Sequence, residues 1–130
     1  MNVFPKKLML LGSGELGKEI AIAAKRLGCY LVACDRYENA PAMQIADKHA
    51  VLNMNNASEL KKVIYEHKPD IIIPEIEALA VEALKEIDQN VQVIPNARAT
   101  AITMNRDKIR DLASIELNIR TAKFSYAMSK

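Results

Sequence analysis

The chain has 130 residues; 50% are hydrophobic and 26% charged, and 18 basic residues stand against 16 acidic ones for a net charge of +2. That length fits one domain, and that balance is globular, not disordered. Charge occurs in pairs such as Lys6-Lys7 and Lys61-Lys62, and Trp is absent, so neither a basic footprint nor a base-stacking platform for nucleic acid is indicated.

From the start, Lys6-Lys7 and Leu8–Leu11 are too short a basic and apolar pair for a leader, and Gly12-Ser13-Gly14 breaks the run. No stretch has the length of a membrane span, which predicts a soluble, cytoplasmic protein with no membrane partner. Lys7–Leu11 is predicted as a buried strand. A helix is predicted over Glu15–Leu27, with Leu16, Ile20, Ala23, Ala24 and Leu27 inward and Gly28 as its terminating glycine. Tyr30–Cys34 is the second strand. Cys29 and Cys34 flank it five residues apart, so their thiols should face opposite ways as partly buried, unpaired groups without a metal. Ala50–Met54 is a weaker strand, Asn56–His67 a helix with Leu60, Val63 and Ile64 inward, and Asp70–Ile73 the strongest strand, closed by Pro74. A helix over Leu79–Ile87, a fifth strand over Val91–Ile94 closed by Pro95, and a helix over Arg106–Leu117 after an Asn105 cap complete the series. Thr121–Ala127 has strand-like residues without a partner, which suggests that more protein follows; the alternative is an edge strand or a frayed terminus. His49 and His67 carry no motif and default to the surface.

Alternating strands and helices with near-continuous apolar strands indicate an α/β, doubly wound, mostly parallel open sheet of Rossmann-like type. The expected organisation is a substrate-binding domain over residues 1–118, with 119–130 as the start of a linker or next domain.

Chemistry concentrates in three places. The loop Gly12-Ser13-Gly14-Glu15-Leu16-Gly17 leaves a strand and opens a helix, the context in which backbone N–H groups bind anions. Gly12 would permit the turn, Gly14 close approach, and Gly17 packing of helix on strand. Asp35 stands where a dinucleotide fold keeps its ribose-binding carboxylate, so a free-standing NAD(P)-binding module is one reading. Glu15 opposes it: an acid in the loop repels a pyrophosphate and suits an amine or hydroxyl. Glu15 could equally be a first-turn acid complementing the helix dipole. Arg36, next to Asp35, leaves the cofactor reading mixed. Pro74-Glu75-Ile76-Glu77 follows the isoleucine strand, at the edge where open sheets bind ligands; Glu75 and Glu77 share a face only if the chain stays extended there. Glu15 and Glu75 should open on one rim. Arg106 begins a predicted helix, where a cation opposes the dipole. It is either a solvated side chain or the partner of a phosphate.

Together, Met9–Glu19, Asp35-Arg36-Tyr37 with Ala40-Pro41-Ala42-Met43, Pro74–Ala78, and Ala97–Thr100 with Thr103–Arg106 resemble, in order, the formate-dependent (type 2) phosphoribosylglycinamide formyltransferases of the ATP-grasp superfamily. The resemblance runs from about Lys7 to about Leu117. It implies a pre-ATP-grasp domain of an enzyme of de novo purine synthesis, in which ATP phosphorylates formate and glycinamide ribonucleotide takes up the formyl group with Mg²⁺ assistance. By this resemblance Glu15, Leu16 and Glu75 would contact glycinamide ribonucleotide, and Arg106 would contact ATP. Gly12, Gly14 and Gly17 would support the loop. The catalytic and metal-binding residues would lie downstream, so this chain alone should be inactive. The resemblance also implies a homodimer, for which the sequence shows no interface.

Overall fold

The computed structural model describes residues 5–129; residues 1–4 of the expected domain and residue 130 of the expected tail lie outside the described residues. The elements are β1 (Lys7–Leu11), α1 (Glu15–Arg26), β2 (Tyr30–Asp35), a 3₁₀ turn (Pro41–Gln44), β3 (Lys48–Val51), α2 (Ala57–His67), β4 (Ile71–Pro74), α3 (Val81–Ile87), β5 (Gln92–Val93), α4 (Ala97–Thr103), α5 (Arg106–Asp111) and a π-type turn (Leu112–Glu116).

The strands form one five-stranded sheet in the order β3-β2-β1-β4-β5, and all four pairings are parallel. The chain therefore winds outward from β1 through β2 to β3, then crosses to β4 and β5. The order reverses between β1 and β4, and their carboxyl ends frame the crevice that this topology leaves for a ligand. Strand side chains alternate between two apolar layers. Leu8, Leu10, Leu31 and Ala33 pack with Ala21 and Ala24 of α1, whereas Met9, Leu11, Val32, Cys34 and Ile72 pack with Leu60 and Ile64 of α2 and Leu84 and Ile87 of α3.

The two cysteines divide between those layers, as their spacing predicts, and both are free and fully buried rather than partly so. Burial, with Asp35 adjacent, pushes the Cys34 thiol up to about 12.

Local chemistry explains the helix ends. At the end of α1, Gly28 has φ +76°, Cys29 N–H donates to Ala24 O at 3.0 Å, and Gly28 N–H donates to Lys25 O at 3.0 Å. This is a Schellman motif, and it fits the expected role of Gly28. Asn56 caps α2 by accepting from Ser58 and Glu59 N–H, while Glu59 reaches back to accept from Asn53 N–H.

Four expectations need correction. The buried stripe of α1 is Gly17, Ala21 and Ala24; small residues let the helix lie close on β1, and Leu16, Ala23 and Leu27 face outward. β3 starts two residues before the expected Ala50–Met54 and ends at Val51, because Leu52 and Met54 lie in the loop beyond the strand and are buried there against the core, not by pairing within the sheet. The expected Arg106–Leu117 helix is α only to Asp111 and then loosens into the π-type turn. Thr121–Ala127 forms no strand. Instead Tyr126 donates its hydroxyl to Asp111 Oδ1 at 2.6 Å, and Phe124 lies under the Arg110 guanidinium at 5.5 Å, tacking the segment to α5.

Candidate functional site

The site is built from the exits of β1, β2 and β4. Register sets Leu11 beside Cys34 on one side and beside Pro74 on the other. Beyond the strands the ladder continues: Gly12 N–H donates to Cys34 O at 3.0 Å, and Leu11 O accepts from Glu75 N–H at 2.8 Å and from Ile76 N–H at 3.1 Å. The glycine loop therefore lies directly against the Glu75 segment.

Gly12 has φ +107°, and a Cβ added there would stand 2.6 Å from Glu75 Oε2 and 2.9 Å from Ile76 Cβ. Only glycine satisfies both the left-handed backbone and the closeness of that acid. A Cβ at Gly17 would meet Gly12 O at 2.9 Å, so Gly17 is what allows α1 to settle on the end of β1. Gly14 has open space around it and caps α1 without a side-chain bond, leaving the first turn facing the rim. Gly12 is thus required by the turn and by the nearness of Glu75, and Gly17 by the packing of helix on strand.

Ser13, between them, is fully buried. Its N–H donates to Asp35 Oδ2 at 2.7 Å, its hydroxyl donates to Cys34 O at 2.9 Å, and its carbonyl accepts from Ala42 N–H at 2.9 Å. Asp35 is 4% exposed, and its other oxygen accepts from Arg36 N–H at 2.7 Å. Asp35 is buried with both oxygens taken up by backbone N–H groups, so it does not present the free rim carboxylate that ribose recognition in a dinucleotide fold requires. Sequence position suggests the ribose contact; the buried serine beside the glycines is the signal for the other role.

Glu75 is half-buried, and burial first, then the Asp35 charge, raises its carboxyl above the usual range. No regular element spans Glu75–Ala80, where the chain bends at Glu77 before α3 starts at Val81, and Glu75 and Glu77 both border one cleft of about 190 Å³ with Thr100, Thr103 and Met104. Glu15 is exposed in the first turn of α1, and Leu16 beside it is 63% exposed. Glu15 and Leu16 thus rise above β1 and Glu75 above β4, on the same end of adjacent parallel strands. Arg106 opens α5, exposed, with Asn105 capping that helix through Asp107 and Lys108 N–H. Among the described residues, no hydrogen bond or ion pair engages its guanidinium, and none links it to the two glutamates.

Residues 5–104 match the family described as the ribonucleotide synthetase preATP-grasp domain. The chain belongs to that family. It is 80% identical over 130 residues to the formate-dependent phosphoribosylglycinamide formyltransferase of Prochlorococcus marinus strain NATL2A, and 66% identical over 128 residues to that of Synechococcus sp. strain CC9902. It spans about a third of the length of these curated relatives (34% and 33%). Among solved structures it is similar to glycinamide-RNase-transformylase T from Mycobacterium tuberculosis, with TM-score 0.86 and 40% identity, covering 91% of this chain and 37% of that one. It is also similar to an N5-carboxyaminoimidazole synthase from Aspergillus clavatus in complex with ADP and an aminoimidazole ribonucleotide, with TM-score 0.78 and 25% identity, covering 91% and 31%.

Within this preATP-grasp domain, α4 is the element that the sequence leaves unassigned. Its residues Ala97–Thr103 lack an apolar repeat, yet Asn96 caps it by accepting from Ala99 N–H at 2.9 Å, and its Thr100 and Thr103 complete the cleft opposite Glu75. An Asn directly after Pro95 is the signal that could have located it. No helix of the described residues is long and apolar enough to cross a membrane. Among them, too, no cluster of three or more His, Cys, Asp or Glu side chains is placed to hold a metal ion.

Proposed function

We propose that this chain supplies the ribonucleotide wall of an ATP- and formate-dependent formyltransferase acting on glycinamide ribonucleotide. The observation that carries it is the shared rim: Glu15 above β1 and Glu75 above β4 bring two carboxylates to the switch point of the sheet. Carboxylates there repel a polyphosphate and accept from an ammonium or hydroxyl. Relatives named for this activity, and a structural neighbour described with an amine-bearing ribonucleotide, favour a ligand of that class.

Each residue then has a role. Glu15 and Glu75 accept hydrogen bonds from the amine and the ribose, and Leu16 gives the sugar an apolar contact. A half-buried Glu75 is costly to ionise alone, so a cationic amine gains from pairing with it. Arg106, exposed and without a partner among the described residues, has the planar donor set that grips ATP phosphates. In the full reaction ATP would phosphorylate formate to formyl phosphate and ADP, and the substrate amine, having first given up the proton of its ammonium form, would attack the formyl carbon, expelling phosphate and losing a second proton. Mg²⁺ would neutralise the phosphates from ligands outside this chain. Catalytic groups would also lie outside it. The unit assigned to this role covers residues 1–118, with 119–130 leading onward, in a cytoplasmic homodimer.

The test is an assay of the full-length protein with formate, ATP, Mg²⁺ and glycinamide ribonucleotide. Formylated product should require all four, and Glu75→Ala should raise KM for the ribonucleotide at least ten-fold. The 130-residue chain alone should show no turnover. Product without ATP, or stabilisation of the chain by NADH and not by the ribonucleotide, would overturn the reading.

A further inference from the structure

The described geometry contains a buried acid that this reading leaves without a role. Asp35 is an ionisable group at the end of a central strand, 4% exposed. Such a carboxylate persists only where donors replace its water. Its donors are two backbone N–H groups, Ser13 at 2.7 Å and Arg36 at 2.7 Å. Charge-assisted bonds of that length are about twice as strong as neutral ones.

The bond to Ser13 matters because of what Ser13 holds. Gly12 precedes it, and Gly12 is the residue packed against Glu75 Oε2 and Ile76. Gly14 follows it and caps α1, which begins with Glu15 and Leu16. Fixing Ser13 therefore fixes both walls of the rim. The hydroxyl bond to Cys34 O and the carbonyl bond from Ala42 N–H are neutral, which leaves Asp35 as the charged anchor. We propose that Asp35 is a positioning residue for the ribonucleotide site: its carboxylate sets the β1–α1 loop against the Glu75 segment, so that Glu15, Leu16 and Glu75 are held in one arrangement before ligand arrives. This deepens the formyltransferase reading and rests on it for the identity of the ligand.

A contrast lies at the other end of β2. Asp47 accepts from Leu31 N–H at 2.7 Å and pairs with Lys25 at 2.7 Å. It too is a carboxylate holding a backbone N–H, but it faces away from the rim. If Asp35 only stabilised the fold, Asp35→Asn and Asp47→Asn would act alike.

The experiment records amide and side-chain carboxyl NMR spectra of the isotopically labelled chain for wild type, Asp35→Asn and Asp47→Asn. In Asp35→Asn, a near-isosteric change, the Ser13 amide proton should lose a downfield position. The amides of Gly12, Glu75 and Ile76 should move with it, and the Glu75 carboxyl should titrate at lower pH once the neighbouring charge is gone. Asp47→Asn should move none of these. Changes confined to Ser13 and Arg36, or the same pattern from Asp47→Asn, overturn the proposal. If Asp35→Asn does not fold, hydrogen exchange of the wild type decides: Ser13 should be as protected as β1, and exchange as fast as at Ser125 in the tail sinks it. In the full-length protein, Asp35→Asn should raise KM for glycinamide ribonucleotide about ten-fold and leave KM for ATP and formate unchanged; a loss confined to kcat contradicts positioning. If the wild type does not use this ribonucleotide, the formyltransferase reading fails, and the NMR comparison still decides the role of Asp35.

Discussion

The rim above β1 and β4 and the stretch from α5 to Ser129 hold their residues in opposite ways. At the rim, Ser13 and Asp35 are buried and their polar atoms have near partners within the protein. In the later stretch, Arg106 has no partner among the described residues, while Ile115 is 74% exposed and Leu117 and Ile119 are also largely exposed. The difference teaches which part of the proposed site is preformed. Glu75 and the glycine loop need no ligand to fix their relation, because backbone hydrogen bonds and a close glycine contact already do so. Arg106 is tied only through the cap and short helix that carry it.

Breaking the tight region should therefore be costly, and breaking the loose one should not. Leu10 is fully buried beneath α1, so Leu10→Ala should cost about 3 kcal/mol in urea unfolding. Ile115→Ala should cost about 0.5 kcal/mol or less. Equal losses at the two positions would erase the contrast.

Within the loop, Gly12→Ala should cost on the order of 2–3 kcal/mol, since the new methyl meets Glu75 and Ile76 on a backbone already at φ +107°. Gly14→Ala enters open space on a backbone with φ −71°, and should cost about 0.5 kcal/mol or less. The same unfolding measurement compares them. A benign Gly12→Ala would mean that the loop does not press on Glu75.

A smaller effect sharpens the electrostatic side. The Glu75 carboxyl is raised by burial and by Asp35. An acid raised in the folded state binds its proton more tightly folded than unfolded. Stability is therefore full at pH below the ordinary carboxylate value and falls as pH rises through the raised one. Glu75→Gln should raise Tm at pH 7 and have little effect at pH 3.5. A gain at acid pH instead would reverse the assigned cause.

Much of this was legible in the sequence, and the failures have physical causes. Lys7–Leu11 and the isoleucines of β4 are central strands buried on both faces, so their apolar runs announce them. β3 is an edge strand with mostly exposed residues, and the apolar Leu52 and Met54 just past it draw the prediction forward. In α1 the apolar count favours Leu16 and Leu27, but closeness to β1 selects Gly17, Ala21 and Ala24 instead. The placement of Gly12, Glu15 and Glu75 just past β1 and β4 could be read from strand ends and glycine spacing. The inward turn of Asp35 could not, because the same acid at that position reads as a ribose contact until its two N–H donors are seen.

The most direct test of the central claim is a titration of the labelled chain with glycinamide ribonucleotide, followed by amide NMR. The account predicts perturbations over Gly12–Gly17 and Glu75–Glu77, reduced at least ten-fold in apparent affinity by Glu75→Gln and absent with NADH. Perturbations that bypass both segments, or a Glu75→Gln variant that binds as well as wild type, would contradict it.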